Sequence, residues 1–355
     1  MDKNIFKTRR DNLKTLLKEK EIEALLVSNP QHRYYLSGFE LEDAQMNESS
    51  GMLLITATGD DWLFTDSRYK DHADTLWNPE NVFIYKQNAY IEMGELIKSQ
   101  GLEEVGFNEN GMLVRTYNTL SKNIKLTPQS GLIEILKQIK SPDEIKSIKN
   151  SCSVNNKMFE EISNHFKVGI TEKELSWEVE KILKNNGCQG LAFDTIVAFK
   201  NNSALPHAIP GETRLEDNSI ILIDAGGRLD DYCSDKTRTF FFGNDDSDYQ
   251  EKLNIVKEAQ AAAIKIAKAG TPIKDLHFAS VAVFEKYGVE KLFTHNLGHG
   301  VGLNCHEAPS LSPRHEGILR EGMIITIEPG IYDISWGGIR HEDMFLITKD
   351  GCEIL

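Results

Sequence analysis

Residues 219–242 read SIILIDAGGRLDDYCSDKTRTFFF and contain two strand patterns, each with an aspartate at the end nearest the turn. Four apolar residues precede Asp224, which predicts that this carboxylate lies at the mouth of a buried strand. Two glycines then permit the chain to turn back, and Asp235 opens the returning strand. Because strand side chains alternate between faces, Asp235 shares one face with Thr237. The pattern predicts two carboxylates that face each other across adjacent strands.

Three more polar side chains interrupt or adjoin runs that otherwise read as core: His299 between two glycines, Glu328 and Glu342. Four carboxylates brought together could not all stay charged without nearby cations. Two divalent metal ions would neutralise them and would lower the pKa of a bound water, which is the chemistry of a hydrolase. Oxygen ligands with one nitrogen and no sulfur favour Mn²⁺, Co²⁺, Fe²⁺ or Zn²⁺ over a structural zinc–thiolate site. The predicted ligands are Asp224, Asp235, His299, Glu328 and Glu342.

The first third of the chain alternates helix and strand patterns, which is typical of a small α/β domain. Asn29-Pro30 is read as a turn, and the polar segment 121–130 is the best candidate for a domain boundary. Strands are predicted over 24–27, 52–56, 62–65, 82–85 and 104–107, with helices over 2–21 and 90–99.

The rest of the chain combines long helices with a mainly antiparallel sheet, an α+β layout. Ser141 and Thr171 each precede a glutamate by three residues, which is a capping box that starts a helix. Two further helices are predicted over 249–269 and from Thr271-Pro272 onward. Strands are predicted over 194–199, 219–224, 237–242, 323–328 and 342–347, which puts Arg340, Glu342 and Met344 on one face and turns His341 away.

Size and composition narrow the function. The chain has 355 residues, enough for two domains, and a net charge of -14 that would repel nucleic acid and anionic membranes. The N-terminus lacks an apolar stretch of signal-peptide length, and no window approaches the roughly 20 apolar residues that span a bilayer, so a cytoplasmic protein is predicted. The five scattered cysteines predict reduced thiols. Cys305, without an evident activating partner, is expected to have no direct chemical role.

Several segments closely resemble the pita-bread metallopeptidases: FKNNSALPH at 199–207, DAGG at 224–227, YCSDKTRT at 232–239, HNLGHGVGLNCH at 295–306, EPG at 328–330 and RHED at 340–343. YLSGF at 35–39 and TDSRY at 65–69 match the creatinase-type N-terminal domain, so the chain is similar to the Xaa-Pro dipeptidase (prolidase) and aminopeptidase P branch. The resemblance covers nearly the whole chain. It implies an α+β pita-bread catalytic domain over residues 128–355, preceded by a smaller creatinase-type α/β domain over residues 1–127.

The resemblance also implies a role for each predicted ligand. Asp224 would be a terminal ligand of one metal ion, while Asp235 and Glu342 would bridge the two ions. His299 and Glu328 would bind the second ion, and Glu328 would also shuttle a proton as a catalytic residue. Mn²⁺ or Co²⁺ is expected first, with Zn²⁺ or Fe²⁺ as the alternatives.

Four more positions follow from the resemblance. His207 and His306 would be catalytic and would line the substrate pocket, where an imidazole can hydrogen-bond the scissile carbonyl oxygen or its oxyanion. His295 matches a substrate-contacting position, and Arg340 would hold a carboxylate by charge-assisted hydrogen bonds. His341 stands where an apolar residue is commoner in the family, and we expect it to pack against a neighbour.

These features predict a dinuclear-metal peptidase that hydrolyses the Xaa-Pro bond of small peptides with proline at the second position. Xaa-Pro dipeptidase is the first hypothesis. Aminopeptidase P, which removes one residue from longer peptides, is the alternative. Methionine aminopeptidase, metal-free creatinase and a non-catalytic binding module of the same fold rank below these. A homodimer is implied by the resemblance alone, and the proline pocket has four candidates, Phe193, Ile196, Tyr332 and Trp336.

Overall fold

The computed structural model describes residues 3–45, 47–244 and 247–355, and the chain divides into two compact units, Met1–Lys137 and Gln138–Leu355. The first unit contains a six-stranded sheet with the order β4-β3-β2-β1-β5-β6. Its strands are β1 (Ala24–Val27), β2 (Met52–Thr56), β3 (Trp62–Thr65), β4 (Val82–Ile84), β5 (Glu104–Phe107) and β6 (Lys125–Pro128). The helices are α1 (Lys3–Glu19), α2 (Pro30–Ser37), α3 (Lys70–Leu76), α4 (Ala89–Ser99), α5 (Val114–Leu120) and α6 (Leu132–Gln138).

The predicted α/β character of the first unit is confirmed by a mixed sheet. Strand β1 pairs antiparallel with β2 and parallel with β5, and every residue of β1 and β2 is buried. Burial on both faces explains why these strands read as unbroken apolar runs and not as alternating patterns. Residue 2 of the predicted first helix lies outside the described residues.

Two local predictions in this unit need comment. Asn29-Pro30, read as a turn, begins helix α2: the Asn29 side chain accepts from the His32 amide, and proline occupies the first helical position. The polar segment 121–130 contributes β6, which pairs in parallel with β5. The predicted boundary between residues 127 and 128 therefore falls within a strand of the first sheet, before the division that follows Lys137.

The second unit has four long helices, α7 (Pro142–Glu161), α8 (Glu172–Asn185), α9 (Ser247–Ile266) and α10 (Ile273–Tyr287). Both predicted capping boxes form. Ser141 accepts from the Glu144 amide and Thr171 accepts from the Glu174 amide, while each glutamate returns a bond to the backbone of its capping residue. Sequence signals at helix starts were therefore sufficient to place α7 and α8.

The strands of the second unit form several small sheets. They are β7 (Gly190–Leu191), β8 (Ile196–Phe199), β9 (Ser219–Ala225), β10 (Gly227–Leu229), β11 (Tyr232–Cys233), β12 (Lys236–Phe242), β13 (His299–Gly300), β14 (Glu307–Ser310), β15 (Ile324–Ile327), β16 (Gly330–Asp333), β17 (Gly337–Arg340), β18 (Asp343–Ile347) and β19 (Cys352–Ile354). The sheet orders are β11-β10-β7, β12-β9-β8, β14-β13-β15-β18-β19 and β16-β17. The strand pairs described in this unit are antiparallel, which confirms the predicted α+β layout.

The register of these strands positions the predicted site. Asp224 of β9 lies opposite Thr237 of β12 and not opposite Asp235, so the two predicted carboxylates are offset by two residues along the strand pair and do not face each other directly. A strand predicted over 342–347 is found as β18 from Asp343, but the prediction that Arg340, Glu342 and Met344 share one strand face was wrong, because Arg340 ends β17 and belongs to another sheet. β17 pairs with β16 and β18 pairs with β15, so Glu342 lies where the chain leaves one sheet for another.

Two smaller findings concern the described residues of both units. The five cysteines, all within the described residues, are free thiols. Among the helices of residues 3–45, 47–244 and 247–355, none is both long enough and apolar enough to cross a membrane.

Candidate active site

Side chains from distant segments converge in the second unit. His299 Nε2 lies 3.6 Å from Asp235 Oδ2 and 3.4 Å from Glu328 Oε1. Ligand atoms of Asp235, His299 and Glu342 all lie within 4.8 Å of one another. The structure therefore brings together the residues that the sequence singled out as ligands, and Asp224 adjoins them through its pairing with the β12 strand.

The chain reverses at Asp230-Asp231, between β10 and β11, but the close approach of the two aspartate-bearing segments depends on a glycine. A Cβ atom at Gly226 would lie only 2.0 Å from the Ser234 carbonyl oxygen, so a larger residue would force the strands apart. Asp224 is the second-last residue of β9, and Asp235 directly precedes β12. Close backbone approach between Gly226 and Ser234 thus places both carboxylates at the same end of the strand pair.

His299 is likewise positioned by glycines that allow backbone contact. A Cβ at Gly298 would lie 2.2 Å from the Thr326 carbonyl oxygen, and a Cβ at Gly300 would lie 2.4 Å from the Ala308 carbonyl oxygen. His299 Nδ1 is 3.1 Å from the Gly300 carbonyl oxygen. Since that oxygen can only accept, Nδ1 carries the proton and Nε2 presents its lone pair to the carboxylates.

The electrostatics of the cluster fit a pair of bound cations. Burial, then neighbouring carboxylates, raise the pKa of Asp235 and of Glu342 well above the ordinary range, and burial raises the pKa of Glu328 to about 8. Burial also lowers the pKa of His299 to about 4, which keeps the imidazole neutral as a metal ligand must be. Within the described residues, Asp224 Oδ1 is buried without a hydrogen-bond partner. Uncompensated negative charge and an unsatisfied carboxylate oxygen are the chemistry that divalent metal ions would balance.

Arg340 is 2% exposed and joins the cluster to its surroundings. Its Nη2 donates to Asp224 Oδ2 at 2.7 Å, and its Nε donates to Thr237 Oγ1 at 3.0 Å. Thr237 in turn donates to Glu342 Oε2 at 2.7 Å. The predicted contact of Arg340 with a carboxylate is therefore made to Asp224, while Thr237, which sequence reasoning missed as a contact, orients Glu342. The alternation of polar residues along β12 was the available signal.

The sequence made Tyr332 a candidate for the apolar wall of the proline pocket. In the structure its hydroxyl instead forms hydrogen bonds with two side chains. Arg340 Nη1 donates to the Tyr332 hydroxyl at 2.8 Å. The hydroxyl lies 2.9 Å from His295 Nε2 and donates to it, because His295 Nδ1 donates to the Asn296 carbonyl oxygen at 2.8 Å. Burial and then Arg340 lower the pKa of His295 to about 4, so this imidazole is neutral.

Two other predicted histidines lie nearby. The ring of His306 is 4.2 Å from that of His299, edge to face. Burial lowers the pKa of His306, Asp224 opposes this effect, and the neighbouring His207 adds to it. His207 itself is exposed. The structure thus places His306 directly beside His299, and His207 close enough to His306 to influence its pKa.

Cys305 and His341 were expected to play no direct chemical part. Cys305 Sγ lies 3.0 Å from Asp235 Oδ2, a contact that sequence reasoning missed. Burial raises the pKa of this thiol well above its usual range, so it donates a hydrogen bond and is not a nucleophile. His341 Nε2 lies 3.8 Å from Asp343 Oδ2, outside the group of converging ligand atoms.

The remaining candidates for the proline pocket, Phe193, Ile196 and Trp336, differ in what they pack against. Ile196 packs in a small buried cluster with Ala208 and Tyr332. Trp336 packs against a different apolar cluster, and Lys252 Nζ lies 5.0 Å from the centre of its ring. Packing in the apolar core explains the position of Trp336. Ile196 stays a prediction as a residue of the proline pocket, because it packs beside Tyr332, which is hydrogen-bonded to Arg340. Phe193 is partly exposed and likewise stays a prediction.

Comparison with known proteins gives the family. Residues 146–349 match metallopeptidase family M24, and residues 9–139 match the creatinase/prolidase N-terminal domain. An uncharacterized peptidase from Staphylococcus aureus strain MW2 is 34% identical over 353 residues, which cover 96% of each chain.

Solved structures of Xaa-Pro peptidases are also similar to this chain. The Xaa-Pro dipeptidase from Bacillus anthracis superposes with a TM-score of 0.92 at 31% identity, covering 98% of this chain and 97% of that chain. The X-Pro aminopeptidase from Thermotoga maritima MSB8 superposes with a TM-score of 0.83 at 31% identity, covering 94% of this chain and 95% of that chain. The predicted pita-bread fold with a creatinase-type N-terminal domain is thereby confirmed. The chain belongs to metallopeptidase family M24 and is an enzyme of that family.

Proposed function

We propose that the protein is a dinuclear-metal Xaa-Pro peptidase. Xaa-Pro dipeptidase is the activity we propose first, with aminopeptidase P as the alternative. One observation carries the proposal: ligand atoms of Asp235, His299 and Glu342 lie within 4.8 Å of one another, with Glu328 3.4 Å from the same imidazole. The similarity to a solved Xaa-Pro dipeptidase over nearly the whole chain supports the substrate class.

The cofactor would be two divalent metal ions held by the converging residues, Asp224, Asp235, His299, Glu328 and Glu342. When bound, such ions supply Lewis-acid activation of water and of the scissile carbonyl. Mn²⁺ or Co²⁺ is proposed first, with Zn²⁺ or Fe²⁺ as alternatives, because the donors are carboxylate oxygens with one imidazole nitrogen.

Glu328 is proposed as the residue that moves protons. A prolyl amide nitrogen carries no hydrogen, so it must gain a proton before it can leave as the ring amine. Glu328 Oε1 lies 3.4 Å from both His299 Nε2 and Thr326 Oγ1, which holds the carboxylate at the cluster. From there it would accept a proton from the attacking water and deliver it to the prolyl nitrogen.

The three histidines would bind and orient the peptide. His306, beside His299, and the exposed His207 would donate hydrogen bonds to the carbonyl groups on either side of the scissile bond. His295 would contact the substrate from the side of Tyr332, whose hydroxyl fixes its ring. Orientation by several imidazoles favours a short peptide in one register.

A peptide panel tests the reaction and separates the two closest activities. Purified protein loaded with Mn²⁺ would be assayed on a free Xaa-Pro dipeptide and on an Xaa-Pro tripeptide with the same first residue. Cleavage of the dipeptide supports the dipeptidase assignment. Cleavage of the tripeptide alone would assign aminopeptidase P, and cleavage of neither would refute the proposed function.

A non-catalytic binding module is the hypothesis of a different class. It requires that purified protein bind no divalent metal and that Asp235→Ala leave its biological role intact. Metal content by mass spectrometry decides between the two readings, with Asp230→Asn, in an exposed turn, as a matched control.

We further infer a cytoplasmic homodimer that acts on small peptides, with neither nucleic acid nor membrane as a partner. The support is the net charge of -14 together with the family resemblance. Light scattering during size-exclusion chromatography would give twice the chain mass of 40.1 kDa for a dimer and the chain mass for a monomer.

A further inference from the structure

Glu172 is a buried carboxylate outside the ligand cluster, in the first turn of α8, and it is 1% exposed. Its Oε1 accepts from the Phe199 amide at 2.8 Å and from Asn202 Nδ2 at 3.0 Å. Its Oε2 accepts from the Gly211 amide at 3.0 Å. Three N–H donors thus converge on one charged group, an arrangement stronger than neutral hydrogen bonds.

The three donors lie at the two ends of one stretch, residues 199–211, which we name the His207 segment. It leaves β8 at Phe199, forms a 3-10 turn over Lys200–Ala204, and then runs over the surface. His207 is exposed, and Ile209 is 89% exposed. The buried side chain of Ala208 anchors the middle of the segment, and the bonds to Glu172 add contacts at its two ends that help to hold His207 in place.

The opposite side of the His207 segment is bonded to the active site. Ser203 Oγ accepts from the Gly338 amide of β17 at 2.8 Å. Arg340 Nη1 reaches the Pro206 carbonyl oxygen at 3.4 Å, and Arg340 also holds Asp224. The residue directly before His207 is therefore connected to the group that orients a predicted ligand.

Glu172 is not needed to cap its own helix. The capping box of Thr171 and Glu174 pairs the amides of those two residues, and the Glu172 and Lys173 amides donate to the Thr213 and Gly211 carbonyl oxygens. The Glu172 carboxylate instead accepts hydrogen bonds from the His207 segment. A buried charge retained for contacts with an exposed segment indicates a role in positioning that segment.

We propose that Glu172 is a positioning residue for the peptidase reaction: by bonding both ends of the His207 segment, it fixes His207 over the substrate. The inference rests on the proposed function, since His207 is taken to bind the peptide there. Glu172 acts through His207 and touches neither substrate nor metal ion.

Glu172→Gln tests the proposal with little change in volume. A carboxamide presents an N–H group where one carboxylate oxygen was, so at least one of the three donors meets another donor. We expect kcat/KM on an Xaa-Pro peptide to fall between about tenfold and about a hundredfold, since misplacing a substrate-orienting group costs that much. Metal content should not change. Glu174→Gln on the same helix is the matched control and should affect stability but not kcat/KM.

A double-mutant cycle separates positioning from a general structural effect. In a His207→Ala background, Glu172→Gln should cause no further loss of kcat/KM, because the group it positions is already absent. An equal fold-loss in both backgrounds would overturn the proposal.

Hydrogen exchange provides a readout that does not need activity. Amides of residues 199–211 should exchange faster in Glu172→Gln than in the wild type or in Glu174→Gln. Unchanged exchange would overturn the proposal. If the wild type hydrolyses no prolyl peptide, the proposed function fails while the exchange data still test the contact. Should Glu172→Gln not fold, Asn202→Ala removes one donor and is subject to the same two measurements.

Discussion

Arg340 Nη2 donates to Asp224 Oδ2 at 2.7 Å, so a buried cation from β17 fixes a carboxylate on β9. The same guanidinium also bonds Thr237 and Tyr332, and its planar fork supplies the three directions that these bonds need. The other oxygen of Asp224 is buried without a partner among the described residues, which leaves it for a metal ion. Arg340 therefore selects which oxygen of Asp224 faces the cluster.

Arg340→Lys should weaken metal binding while the protein stays folded. A lysine ammonium cannot reach Asp224, Thr237 and Tyr332 together, and loss of a residue that orients a ligand lowers metal affinity by about tenfold to a hundredfold. Isothermal titration with Mn²⁺ measures the change. Arg314→Lys, at an exposed position, is the control and should bind as the wild type does. Equal affinity for Mn²⁺ in both variants would contradict the role given to Arg340.

Removal of metal should destabilise the wild type. The converging carboxylates of Asp224, Asp235, Glu328 and Glu342 repel one another when no cation balances them, and binding to the folded state alone adds stability. Chelation should lower the melting temperature, and added Mn²⁺ should restore it. Asp235→Asn should respond less to both treatments, whereas Asp230→Asn should respond as the wild type does. A melting temperature indifferent to chelator in the metal-loaded wild type would argue against the metal centre.

Tyr332→Phe should lower kcat/KM more than Tyr249→Phe does, although both variants lose a buried hydroxyl that stabilises the fold. The change removes one hydroxyl, which breaks the bond from Arg340 and the bond to His295, at a cost of about 1 kcal/mol each in the free energy of unfolding. His295 then loses the donor that fixes its ring. Tyr249→Phe is the matched control, because its buried hydroxyl donates to the Thr239 carbonyl oxygen. Urea unfolding and kcat/KM are compared, and identical losses of kcat/KM in the two variants would contradict a role for Tyr332 in the site.

His277 should make the fold sensitive to acid. Burial lowers its pKa below the ordinary value, its ring stacks on Phe293 at 5.4 Å, and its Nδ1 is buried without a hydrogen-bond partner among the described residues. The folded state thus binds fewer protons than the unfolded state. The stability that His277 contributes is present above the unfolded pKa of about 6.5 and is lost as the pH falls through the folded pKa. His295, whose ring also contacts Phe293, is kept neutral by burial and adds to the same trend.

His277→Phe should therefore lose less stability than the wild type between neutral pH and pH values below the unfolded pKa. Urea unfolding at the two pH values gives the difference directly. Trp177→Phe, at an exposed position of α8, replaces one non-titrating aromatic ring by another; it is the control and should keep the pH dependence of the wild type. A pH dependence of unfolding in His277→Phe as large as that of the wild type would contradict the prediction.

Much of the site could be predicted because its residues disturb strong local patterns. Asp224 and Glu328 end apolar runs, and His299 lies between glycines whose missing Cβ atoms allow backbone contact. Helices α7 and α8 were equally clear from their capping boxes. Patterns of this kind are local, so they survive whatever tertiary contacts the chain makes.

The rest depended on contacts between distant segments. The face predicted for Glu342 assumed an unbroken strand, but the chain changes sheets there: the His341 amide bonds the Pro329 carbonyl oxygen and the Glu342 amide bonds the Thr237 carbonyl oxygen. Tyr332 read as an apolar wall because its hydroxyl partners are far apart in sequence. Glu172 gave no signal beyond its helix start. Tertiary partners that share no spacing rule cannot be read from one sequence.

The junction at Glu342 bears on how this enzyme could change its preference for peptides. A residue that joins two sheets and a candidate metal centre cannot be replaced without disturbing both, so the interior tolerates little variation. The exposed positions Leu205 and Ile209 flank His207 without such constraints. Substitutions that change the preferred peptide would therefore arise at exposed positions such as Leu205 and Ile209, while the buried residues of the site stay the same.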